Sequence, residues 1–105
     1  AYLSKNAKIG DGTIVLHDTI LNYNAKVGQN SIINNKVLIE HDVIVGDHCH
    51  ISTGAILNGG VVVGNGSFIG SGVITKQSVS IGKNCIIGAG VVIKNNVKSN
   101  DIILD

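Results

Sequence analysis

An aliphatic side chain returns at every sixth position of this chain, from Leu3, Ile9, Val15 and Leu21 through to Ile93, without insertion or deletion. Thr75 alone breaks the series. Four residues after each anchor the side chain is small or β-branched, from Ala7, Thr13 and Thr19 to Val91 and Val97. A strand sends alternate side chains to one side, so the small residue and the following anchor face inward together. The pattern therefore predicts one short strand per hexapeptide, stacked as a parallel β-helix.

Turn chemistry repeats at the same period. Three residues after each anchor stand Asn6, Gly12, Asp18, Asn24, Asn30, Lys36, Asp42, His48, Gly54, Gly60, Gly66, Gly72, Ser78, Asn84, Gly90 and Asn96; thirteen of these sixteen are Gly, Asn or Asp. Those residues tolerate positive φ, so a sharp bend is expected at each. Three hexapeptides close a triangular coil of eighteen residues, the spacing at which Gly10, Gly28, Gly46, Gly64 and Gly82 recur. The expectation is an all-β domain of about five coils over residues 2–98, residues 99–105 forming a C-terminal tail, with no separate second domain.

Composition narrows the function. The 105 residues carry a formal charge of +1 and no arginine, which argues against a partner held through basic patches, nucleic acid above all. No apolar run approaches the ~20 residues of a membrane span, and no charged-then-apolar leader opens the sequence. With no Met, and the repeat already in register at Leu3, the sequence reads as a segment of a longer chain. Cys49 and Cys85 share the inward small position two coils apart, roughly 9–10 Å if strands stack at ~4.8 Å. That is too far for a disulfide, and reduced buried thiols fit the cytoplasm.

Residues eighteen apart lie over one another, so each edge of the prism reads as a column. The first edge stacks Tyr23-Asn24, His41-Asp42, Gly59-Gly60 and Gln77-Ser78; the bare Gly-Gly turn leaves space beside the His41 imidazole. The second stacks His17-Asp18, Asn35-Lys36, Thr53-Gly54, Ser71-Gly72 and Ala89-Gly90, its upper half stripped to small groups that suit a thin extended ligand. The third, with Gln29-Asn30, Asp47-His48 and Asn65-Gly66, looks solvated. Imidazole is the natural general base near neutral pH, and an adjacent acid holds its tautomer. His41 with Asp42 thus reads either as a base and its partner or as a solvated turn. His50 points outward from a strand, expected on the flat face between the first two edges, as a site residue or as filler. His17 and His48 read as filler. No intrachain triad of histidines for zinc is evident, so no metal is expected; a γ-carbonic-anhydrase-like zinc enzyme is the weaker alternative.

At Ile39-Glu40-His41-Asp42, Val45-Gly46-Asp47 and His50-Ile51-Ser52 the chain resembles the hexapeptide-repeat sugar O-acyltransferases of the sialic acid O-acetyltransferase type, which include N-acetyltransferases of UDP-linked amino sugars. The resemblance runs without gaps over about residues 7 to 97. It implies a left-handed coil, an exception to the usual right-handed crossover. It further implies acetyl-CoA as co-substrate, a nucleotide-sugar acceptor, and a homotrimer with the site between neighbouring prisms. His41 would be the general base with Asp42 as its acidic partner, and His50 would lie beside the thioester. The backbone at Gly59 with its neighbour Gly60, at Ser71 and at Ala89 would border the pantetheine arm. Lys76 and Lys94 stand where they would attract its phosphates, or serve as plain solubilising charge. Members usually carry an N-terminal α/β subdomain and a Gly-x-Pro-Ala segment near the CoA adenine, and neither has a counterpart within these 105 residues. A non-catalytic trimerisation scaffold is the alternative from another class.

Overall fold

A computed structural model describes residues 1–105 as a left-handed parallel β-helix of seventeen two-residue strands and no helix. Face I stacks β1 (Tyr2–Leu3), β4 (Ile20–Leu21), β7 (Leu38–Ile39), β10 (Ile56–Leu57), β13 (Ile74–Thr75) and β16 (Val92–Ile93). Face II stacks β2 (Lys8–Ile9), β5 (Lys26–Val27), β8 (Ile44–Val45), β11 (Val62–Val63) and β14 (Ser80–Ile81). Face III stacks β3 (Ile14–Val15), β6 (Ile32–Ile33), β9 (His50–Ile51), β12 (Phe68–Ile69), β15 (Ile86–Ile87) and β17 (Ile102–Ile103). Register holds at eighteen residues from Tyr2 paired with Ile20 up to Ile74 paired with Val92. The first edge joins face I to face II, the third joins II to III, and the second joins III to I.

Fifteen of the sixteen expected bends have positive φ, including the less tolerant Lys36 (61°), His48 (56°) and Ser78 (63°). Inside, the anchors Leu21, Ile33, Ile39, Ile51, Leu57, Ile69 and Ile87 have no exposed surface. Each such side chain stabilises the fold by about 1.5–3 kcal/mol relative to exposure. The inward small column on face III runs Thr13, Ser31, Cys49, Ser67 and Cys85. Its hydroxyls bridge coils: Ser67 Oγ donates to Gly82 O (2.8 Å) and accepts from Cys85 N (3.0 Å). Ser67 thus stands between the two cysteines, both of which are free and buried, and burial pushes the Cys49 thiol up.

The C-terminal end departs from the expected phase. The bend expected at Asn96 is absent, and Asn100 takes a positive φ of 67° instead. Val97 pairs with Ile81, and β17 pairs with β15, each at sixteen residues rather than eighteen. Two residues have been dropped from the turn after Ile93, so Val97 fills an anchor's place and the repeat resumes to Ile103. Residues 99–105, expected as a tail, therefore carry a strand, and the coils number about six rather than five. Valine fits both inward positions, which is why the phase break does not show in the apolar pattern.

Candidate active site

On the first edge, a groove of about 500 Å³ is lined by Glu40, His41, Asn58, Gly59, Lys76 and Gln77, none of them hydrophobic. His41 and Asp42 form a turn between β7 and β8, with Asp42 in the left-handed region at φ 60°. His41 Nδ1 lies 3.1 Å from Asp42 Oδ2, and Asn24 Nδ2 donates to Asp42 Oδ1 at 2.8 Å from the coil below. These two hydrogen bonds, Asn24's first and His41's second, hold the Asp42 carboxyl below the usual carboxylate range. An ionised carboxylate only accepts, so the His41 proton is assigned to Nδ1 and Nε2 is left as the basic nitrogen. That nitrogen lies beneath Gly59, where a methyl group would come within 2.5 Å of Nε2 and 2.7 Å of Cε1. The missing side chain is what makes room for the ring. His41 remains 56% exposed, open to a ligand along the groove.

Two neighbouring polar contacts shape the walls. Asn22 Nδ2 donates to Glu40 Oε1, and Asn58 N and Nδ2 donate to Thr75 Oγ1 (3.1 Å) and Thr75 O (2.8 Å). The one non-aliphatic anchor is thus explained: buried Thr75 supplies the acceptor that fixes Asn58 at the groove. Asn24, Glu40, Asn58 and Gln77 were not singled out from sequence. The break at Thr75 is a signal for Asn58 alone.

On the second edge, Gly54, Gly72 and Gly90 take positive φ and have open space beside them. Ser71 Oγ donates to Ser52 Oγ at 3.1 Å. The backbone N–H groups of Ser71 and Ala89, like that of Gly59 on the first edge, have no acceptor within the chain. These are unpaired donors on narrow turns, able to bond carbonyl oxygens of a ligand. His50 is not on the face between the first two edges, as expected. That face is face I, whereas position 50 falls in the following hexapeptides, on β9 of face III, between the third and second edges. There its ring packs edge-on against Phe68, centroids 5.2 Å apart, and its buried Nε2 has no hydrogen-bond partner.

The structure therefore gathers His41, Asp42, Gly59 and Gly60 on one edge, and His50, Ser71 and Ala89 around face III and the second edge. Face III lies across the prism from the first edge, so one copy does not bring the two groups together. His48 sits in a third-edge turn and His17 in a lower turn of the second edge. No three His, Cys, Asp or Glu side chains converge as a metal site.

The sequence matches the profile described as "Bacterial transferase hexapeptide (six repeats)" over residues 24–59 and 60–95, more than half of the chain. Comparison with curated protein sequences gives no match. Among solved structures, the chain is similar to the acetyltransferase domain of PglB from Neisseria gonorrhoeae FA1090 in complex with acetyl coenzyme A. The identity is 27% and the TM-score 0.93, covering 96% of this chain and 50% of that one. It is also similar to PerB from Caulobacter crescentus in complex with CoA and GDP-perosamine, at 31% identity and a TM-score of 0.95, covering 96% of this chain and 49% of that one. The chain thus spans about half the length of these structures.

Proposed function

Because this chain belongs to the bacterial transferase hexapeptide family, we propose that it transfers an acetyl group from acetyl-CoA to a nucleotide-linked sugar, with His41 as general base. An amine is favoured over a hydroxyl as the acceptor, since the similar structures include one bound to an amino-sugar nucleotide, GDP-perosamine. The observation that carries the reading is the placement of His41 Nε2 in a polar groove beneath Gly59, with Nδ1 held by Asp42.

In this reading His41 Nε2 takes a proton from the acceptor amine as its nitrogen attacks the thioester carbonyl. The developing oxyanion is met by a backbone N–H, for which the unpaired Gly59 N–H on the same edge is a candidate. Collapse of the intermediate breaks the C–S bond, and the departing CoA thiolate takes the proton back from the imidazolium. No acyl-enzyme is needed; Cys49 and Cys85 are buried in the core, away from the base. The pantetheine arm lies against Ser71 and Ala89, its amide carbonyls taking their free N–H groups. His50, its ring packed on Phe68, lies beside the thioester end.

Those residues lie across the prism from His41, so the working unit is a homotrimer in which one copy's first edge meets another's second edge. The outer surfaces support this. Face I carries Tyr2, Ile20, Leu38, Ile56, Ile74 and Val92, and face III carries Ile14, Ile32, Phe68, Ile86 and Ile102, whereas face II is interrupted by Lys8, Lys26 and Ser80. Two unlike apolar faces on one prism suit a closed ring of non-identical contacts. With acetyl-CoA and a nucleotide sugar as substrates, the reaction would belong to the cytoplasm. The test is thiol release from acetyl-CoA with amino-sugar nucleotides. His41→Ala is expected to lose roughly 10²–10⁴-fold in turnover with its melting unchanged. Wild-type turnover in that variant would sink the catalytic reading and leave a trimerisation scaffold.

A further inference from the structure

We propose that Asn24, one coil below the base, is a positioning residue that holds Asp42 in the orientation His41 requires. The inference rests on the general-base reading of His41 and deepens it.

Asp42 projects from an exposed turn, 53% accessible, where a carboxylate would ordinarily rotate freely and hydrate. Its two oxygens are instead divided between two donors. Oδ1 accepts from Asn24 Nδ2 at 2.8 Å, and Oδ2 faces His41 Nδ1 at 3.1 Å. With Oδ1 fixed from below, the plane of the carboxylate is set and Oδ2 is presented to the ring. An adjacent-residue contact of this kind is otherwise weak, because solvent competes for an exposed carboxylate and both side chains lose rotamer freedom.

Asn24 is itself rigid. It occupies the left-handed region at φ 63°, its backbone N–H is bonded to Lys5 O at 3.2 Å, and its side chain is half-buried in the column. Asparagine is among the few residues that adopt this conformation readily and also carry an amide donor. Many left-handed turn residues stack in columns on this prism, yet Asn24 with Asp42 is the only such pair joined side chain to side chain. The bond occurs in the one coil that precedes the His41 turn. The same hydrogen bond leads the influences that hold the Asp42 carboxyl low.

The charged and titratable groups around the pair are few. Glu40 and Lys76 line the same groove, Lys26 lies towards Asp42, and Tyr23 stands on the turn beneath His41. None of them makes a hydrogen bond to either Asp42 oxygen, so no second donor replaces Asn24.

Two substitutions keep the turn and remove the donor. Asn24→Gly accepts φ 63° without strain and has no side chain; Asn24→Asp keeps shape and conformation but sets a carboxylate against Asp42. Melting temperatures report whether each variant is folded. The expected result for Asn24→Gly is a fall in kcat of about tenfold, a part of the general-base contribution, with KM for acetyl-CoA unchanged. Asn24→Asp is expected to fall further. A loss that comes instead as a rise in KM for acetyl-CoA, or with a lowered melting temperature, would assign Asn24 a structural role and overturn the proposal. So would wild-type behaviour of both variants beside an inactive His41→Ala, which would leave the general base standing. Wild-type turnover in His41→Ala would overturn the base and the positioning role together.

Discussion

The third edge and the first edge are built from the same six-residue unit, yet one caps three of its turns with side chains and the other caps none. On the third edge, side chains fold back onto the backbone. Gln29 N–H donates to Asp47 Oδ1 at 2.7 Å, Asp47 N–H to Asn65 Oδ1 at 2.8 Å, and Lys83 N–H to Ser99 Oγ at 2.9 Å. On the first edge, His41 and Gly59 occupy the equivalent positions and their N–H groups have no partner in the chain. Its side chains bond to one another, Asn24 to Asp42 and Asp42 to His41, rather than capping the turn. A buried unmade hydrogen bond costs about 1–3 kcal/mol, but a solvated one costs little. An edge can therefore leave its turns uncapped where water, or a ligand in its place, completes them. The scaffold consumes its polar groups; the candidate site keeps them free.

Glycine marks the same contrast, and two substitutions sharpen it. A methyl group at Gly64, which leads into the third edge, would meet only backbone: Gly82 C at 2.6 Å, Gly82 O at 2.7 Å and Lys83 N at 2.7 Å. Coils cannot separate there without breaking the ladder. Gly64→Ala is accordingly expected to cost about 3 kcal/mol by denaturant unfolding, with turnover per folded molecule retained. Wild-type stability in that variant would show that the coils yield more easily than the close stacking implies. A methyl at Gly59 would meet instead the far end of the His41 side chain, which can swing away. Gly59→Ala is expected to cost under about 1 kcal/mol, as the displaced ring is solvent-exposed. Its turnover should nevertheless fall by about tenfold or more as the base leaves its position. Equal losses of stability and unchanged turnover in both variants would erase the distinction between the two edges.

Much of this prism was legible in the chain because core and turns repeat at one period. The anchors gave the strands and their eighteen-residue register, and the Gly, Asn and Asp positions gave the bends. The bare turn over His41 was visible by the same arithmetic. Three things were not. Val97 satisfies the small position and the anchor position alike, so a two-residue shortening after Ile93 left no trace in hydrophobicity. His50 lies on face III and not on the expected face I, because its hexapeptide runs between the third and second edges. The Asn24–Asp42, Asn22–Glu40 and Asn58–Thr75 bonds depend on rotamers, which a column of residue types does not specify. Asparagine at a bend is explained by backbone conformation alone, and so its second role as a donor stays hidden until the side chains are seen.

The most direct measurement is the crystal structure of this chain with acetyl-CoA bound. The account predicts the thioester carbonyl beside His41 Nε2 beneath Gly59 of one copy, with the pantetheine arm against Ser71 and Ala89 of another. Acetyl-CoA bound away from the first edge, or held entirely by one prism with its thioester out of reach of His41, would contradict it.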